Sequence, residues 1–143
     1  MPSEAVYSET FYQDRHARTA TAASRILELA LAVLPPVESA VDVGCGVGTW
    51  LAEIQRRGIS DIHGFEGEWV DTQHLEIPTD CFSHHDLTTP ITPPAKRYDL
   101  ALSLEVAEHL PDSAANTFVE SLSGLSDCIL FSAAIPGQGG RHH

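Results

Sequence analysis

The stretch Val41-Asp42-Val43-Gly44-Cys45-Gly46-Val47-Gly48-Thr49-Trp50 decides the fold. An apolar run closes on a carboxylate, glycines follow at 44, 46 and 48, and a helical pattern begins at once. Glycine has no Cβ and admits positive φ, so a turn of this kind lets backbone come close to a bound ligand. After a buried strand it reads as a nucleotide-type cofactor site. A dinucleotide pyrophosphate wants a bare helix N-terminus, and Asp42 would place like charge beside it. The glycine spacing also misses the dinucleotide pattern, in which Thr49 would have to be the third glycine. A nicotinamide enzyme therefore shares the fold class and fails on both counts.

Working outward from the loop, residues 39–43 read as strand one and residues 49–57 as a helix, with Gly58 as its cap. Upstream, residues 13–34 read as a helix that Pro35-Pro36 stops. Downstream, strand two runs over 59–65 and ends at Glu66, and residues 68–75 are expected to be helical. Residues 81–84 give a minimal strand three. The proline- and threonine-rich segment 86–97 makes a poor helix, so this crossover is expected to be irregular. Strand four covers 98–104, a helix 112–125, and strand five 128–134. Apolar strands alternating with helices imply a parallel sheet covered on both faces, an α/β doubly wound fold. No repeat is visible, and one domain over 1–143 is expected, with a helical segment 1–37 ahead of a core 38–143.

Composition bounds the function. A chain of 143 residues can bury roughly 68% of its unfolded surface. The formal charge of −12 opposes binding to phosphate backbones or anionic membranes, since no basic stripe exists to release counterions. The three cysteines (Cys45, Cys81, Cys128) have no close spacing, which suits a reduced, cytoplasmic protein. No signal peptide is visible at the N-terminus, and the longest apolar stretch, 26–34, is interrupted by Glu28 and too short to span a bilayer.

The acid before the glycines suits a cationic ligand. S-adenosylmethionine presents an ammonium and a sulfonium, to which Asp42 would be attractive. The loop resembles motif I of the class I, Rossmann-like S-adenosylmethionine-dependent methyltransferases, and the resemblance extends from about residue 11 to the end. It implies strand order 3-2-1-4-5. In that family two further antiparallel strands follow, and here the sequence ends soon after strand five, so the expectation is a shortened fold without them.

The resemblance implies roles for particular positions. Asp42, Gly44, Cys45, Gly46, Gly48 and Trp50 belong to the loop that admits the cofactor, with Trp50 as core or cofactor wall. Glu66, ending strand two, would accept both ribose hydroxyls, the alternative being a solvated loop acid. Asp86 would sit beside the adenine amino group and Leu87 against the ring, the alternative for Asp86 being a cap for Thr88 or Thr89. Leu104 and Glu105 follow strand four at the ligand-binding edge. Glu105, Glu108 and His109 have the spacing i, i+3, i+4, which would place them on one helical face able to grip a divalent metal. The run looks like the Glu-x-x-Glu-His signature of metal-dependent O-methyltransferases, including enzymes of RNA 2′-O-methylation, where His142 or His143 could complete a site. Without metal, Glu-His-Leu lines the cofactor, and His109, helped by Glu105, is the general-base candidate. Tyr7, Phe11 and Tyr12 either fold over the cofactor or pack on the sheet edge, and 135–140 is a loop at the same edge. The expected function is methyl transfer to a small-molecule acceptor. Nucleic acid and membrane partners are not expected. An unpaired strand five would invite self-association unless the N-terminal segment or the tail shields it. A cofactor-binding module without catalysis is the rival from another class.

Overall fold

The computed structural model describes residues 9–133. Chain order is α1 (Glu9–Val33), β1 (Ser39–Val43), α2 (Thr49–Arg56), β2 (Asp61–Glu66), β3 (Phe82–His84), β4 (Leu100–Leu104), α3 (Ala115–Leu125) and β5 (Ile129–Ser132). The strands form one parallel sheet in the order β3-β2-β1-β4-β5, the order that the glycine-loop resemblance implied.

Alternation along β1 divides the interior into two layers. Ala40, with Leu100 and Leu102 of β4, faces Ala23 and Leu27 of α1 and Leu51 and Ile54 of α2. Val41, Val43 and Ala101 face Phe118, Leu122 and Leu125 of α3. All five residues of β1 are buried, as a central parallel strand covered on both sides requires. Each large apolar side chain so enclosed contributes about 1.5–3 kcal/mol relative to exposure. The segment between β3 and β4 is irregular, as its prolines dictate, and is anchored by buried Ile91, whose N–H donates to Ser121 Oγ at 3.0 Å.

One expectation needs correction. Residues 68–75 are not a helix; only a single 3₁₀ turn, Thr72–His74, forms there. The Asp71 carboxylate accepts the Gln73 N–H at 2.9 Å, and the Glu76 N–H donates instead to Val47 carbonyl at 2.7 Å. That second bond ties the segment to the glycine loop and spends a donor that a continuing helix would use. Ile129 and Phe131 are exposed on β5, which pairs only with β4 among the described residues.

Candidate functional site

The strand order reverses between β1 and β4, and open α/β sheets hold ligands at the carboxyl edge of such a point. A cleft of about 1220 Å³ opens there. The loop joining β1 to α2 forms its floor. Gly44 and Cys45 both donate to the Phe65 carbonyl, at 2.7 and 3.1 Å, and Gly48 donates to the Cys45 carbonyl at 2.9 Å.

The three glycines are there for different reasons. All take positive φ, at 90°, 57° and 90° for Gly44, Gly46 and Gly48. A Cβ on Gly44 would lie 2.3 Å from Val106 Cγ2, and one on Gly48 would lie 2.9 Å from Ile77 Cγ1. Those two positions are therefore glycine because neighbouring side chains pack onto them, and Gly48 does not line the cleft. Around Gly46 a Cβ would meet nothing within 4 Å, and this residue does line the cleft.

Glu66 holds the loop from the side. Its Oε2 accepts the Gly46 N–H at 3.0 Å, while Oε1 accepts the Gly67 N–H at 2.9 Å and the Trp69 indole N–H at 3.3 Å. Although nearly buried, it borders the cleft. Asp42 is placed differently from the expectation of a cleft residue. It is 2% exposed beneath the loop, and its Oδ1 has no hydrogen-bond partner among the described residues. Burial, and secondly the Glu66 carboxylate, push its pKa from 3.8 up to about 8. The same causes act on Cys45: burial, then Asp42 and Glu66, push its thiol far up, so it stays a neutral packing group. Trp50 packs against the α1–α2 core layer and also borders the cleft.

Asp86, Leu87, Leu104, Glu105 and His109 all border the cleft. Asp86 is exposed, and its Oδ1 accepts from the Thr88 backbone N–H at 2.9 Å and the Thr88 hydroxyl at 2.7 Å. The Thr88 hydroxyl and N–H hold its carboxyl below the usual range. Capping and cleft lining are thus both present at one residue. Leu87 is buried with the α3-side layer.

The helical face expected for Glu105, Glu108 and His109 does not form. Glu105 sits at φ 58°, its N–H donating to Ser132 carbonyl at 2.8 Å, and only the short turn Ala107–His109 follows. Val106 is committed to covering Gly44. Without a continuous 3.6-residue period the i, i+3, i+4 spacing no longer means one face. Among the described residues no group of three His, Cys, Asp or Glu side chains is arranged to hold a metal ion. Glu105, Glu108 and His109 are not arranged as a three-ligand set for a divalent metal.

Tyr7, His142, His143 and the loop 135–140 lie outside the described residues, as do the side chains of Phe11 and Tyr12. Sequence reasoning missed Trp69, which is 57% exposed and borders the cleft three positions after Glu66. It also missed a clasp from α1: His16 Nδ1 lies 3.0 Å from Thr49 Oγ1, and its Nε2 lies 3.7 Å from Glu76 Oε2. A lone aromatic after a strand-ending acid was the available signal for the first. Nothing local pointed to the second.

Comparison with known proteins agrees with this architecture. The methyltransferase domain family matches residues 14–122. Similar solved structures include DesVI of Streptomyces venezuelae, with a TM-score of 0.62, 22% identity, and coverage of 89% of this chain and 54% of that one. The glycopeptide N-methyltransferase MtfA complexed with S-adenosyl-L-methionine gives a TM-score of 0.53 at 15% identity, covering 73% of this chain and 50% of that one. Magnesium protoporphyrin IX methyltransferase from Synechocystis PCC 6803, with bound SAH, gives 0.50 at 21% identity, covering 78% and 52%. This chain therefore spans about half the length of the structures it resembles. No curated protein matches it in sequence.

Proposed function

The chain belongs to this methyltransferase domain family, and on that premise we propose that its cleft binds S-adenosylmethionine and that the domain serves methyl transfer to a small acceptor. The observation that carries the reading is Gly46. Its Cβ direction is open space in the cleft, and its N–H is held from the side by Glu66. That is the shape of a cradle for a ligand lying against backbone.

The residues present fit such a ligand. Glu66 is the ribose acceptor, Asp86 and Leu87 take the adenine, and Asp42 supplies a carboxyl group beneath the loop on the side of the cationic end. S-adenosylmethionine supplies an activated methyl group when bound, so no covalent intermediate with the protein is needed. The domain's own work is to hold acceptor and methyl in line. His109, exposed on the lip of the cleft, takes the proton where the acceptor is a hydroxyl, with Glu105 beside it in sequence and on the same cleft. The charge of −12 favours a small acceptor over a polyanion. No helix of the described residues is long and apolar enough to cross a membrane, and the three free cysteines suit a reducing, cytoplasmic setting.

Calorimetric titration with S-adenosylmethionine, S-adenosylhomocysteine and NAD tests the reading. Both adenosyl compounds should bind, and Glu66→Ala should weaken them by about 1.5–3 kcal/mol, the usual worth of hydrogen bonds to a charged partner. Tighter binding of NAD than of S-adenosylmethionine would overturn it.

A further inference from the structure

We propose that Trp69 is a gate on Glu66: its indole N–H occupies the acceptor position that a ribose diol requires, and nucleoside binding displaces it. The inference rests on the reading of Glu66 as the ribose acceptor.

A carboxylate offers about four acceptor positions, two on each oxygen. Three are taken here. Gly46 uses one on Oε2, while Gly67 and Trp69 together fill both on Oε1. One position remains, on Oε2. A ribose that donates its 2′- and 3′-hydroxyls to the two oxygens needs one on each. Saturation of Oε1 therefore forces one donor to leave before the diol can be accepted in full.

Geometry selects the donor. The Gly67 N–H is adjacent backbone, bonded at 2.9 Å, and the Gly46 N–H belongs to the constrained loop at 3.0 Å. The indole N–H stands at 3.3 Å, beyond the usual N–H···O range. Its side chain is 57% exposed and borders the cleft, so it can rotate without opening the core. It also lies close over Gly67, where a Cβ would come within 3.2 Å of Trp69 Cδ1. The absence of a side chain at 67 is what allows the indole to rest there. Once displaced, the ring keeps an apolar face in the cleft on which a base can stack.

Adenosine and 2′-deoxyadenosine are the probes, since the deoxy compound donates one sugar hydroxyl and can use the free Oε2 position with Trp69 in place. Trp69→Phe keeps an aromatic ring and removes the competing N–H. It should tighten adenosine roughly three- to tenfold, the span of one ordinary hydrogen bond, and leave 2′-deoxyadenosine within about twofold, the residue of a contact that is not competed for. The chain has two tryptophans, both bordering the cleft, so the intrinsic fluorescence change on adding adenosine should be smaller in Trp69→Phe than in the parent, with Trp50 supplying what remains. Equal or weaker adenosine binding by Trp69→Phe, or an equal gain for both nucleosides, would overturn the gate. Glu66→Ala separates the two ideas: weaker adenosine binding supports the ribose reading, and parent-like binding refutes that reading and the gate with it.

Discussion

Replacing Asp42 by asparagine should change how stability depends on pH. In the folded domain the carboxyl is buried with one oxygen unpartnered, and its pKa stands near 8, against 3.8 in the unfolded chain. The sign follows from proton counting. Below the unfolded value both states hold the proton, and Asp42 costs nothing through ionisation. Between the two values the unfolded chain releases it and the folded one keeps it, so stability falls as pH rises. Each pH unit in that window removes about 1.4 kcal/mol, and the whole window of about four units removes roughly 6 kcal/mol, a large part of a small domain's stability. Above about 8 the slope flattens, because both states are then ionised. Asparagine keeps the shape and cannot ionise. Urea midpoints measured at intervals from pH 5 to pH 8 should decline for the parent and stay level by comparison for Asp42→Asn, with equal m-values. Parallel pH profiles for the two proteins would refute the reasoning and mean that Asp42 is hydrated or partnered in solution.

Gly46→Ala should weaken binding of S-adenosylhomocysteine, measured by calorimetry, because its Cβ direction is open cleft, and should cost about 1–2 kcal/mol of stability because its φ of 57° is left-handed; retained affinity would sink the site assignment. Excess chelator should leave any methyl transfer unchanged, since no three-ligand group forms among the described residues; loss of activity restored by magnesium or manganese would contradict this. Leu102→Ala, at a fully buried site on β4, should destabilise by about 2–5 kcal/mol in urea titration. Phe131→Asp, on the exposed edge strand β5, should shift a self-associating population toward monomer in sedimentation velocity if that edge pairs between copies; an identical distribution for parent and variant would show that the edge is not used.

The parts of the fold that were legible in the sequence are those set by local rules. The glycine turn, the buried strand before it and the stop at Pro35-Pro36 each follow from the backbone preferences of a few neighbouring residues. Five strands were placed to within a few residues, since apolar runs bounded by turn residues leave little choice. The segment after β2 failed because its fate depends on a distant partner: Val47, on the glycine loop, takes the Glu76 N–H, and no pattern within 68–75 announces that. The run from Glu105 to His109 failed in the same way. Its spacing suits a helix, yet Ser132 captures the Glu105 N–H and Val106 is drawn over Gly44, and the left-handed Glu105 breaks the period.

The two acids of the site show where a motif stops being informative. In the sequence Asp42 and Glu66 look alike, as groups reaching toward a ligand, because each ends an apolar run beside the glycine loop. Adjacent parallel strands put Asp42 opposite Gly64, two residues short of Glu66, so the register sets one acid below the other. The upper one meets the loop's N–H groups and the cleft; the lower one is enclosed and loses its preference for charge. Their mutual repulsion then adds to burial in holding the proton on Asp42. A cationic ligand above the loop would oppose both effects, so its binding below pH 8 should release a proton. Calorimetric binding enthalpies for S-adenosylmethionine at pH 7 should therefore vary with the ionisation enthalpy of the buffer, and Asp42→Asn should remove that variation. Buffer-independent enthalpies in the parent would mean that the ligand's charge never reaches the buried carboxyl.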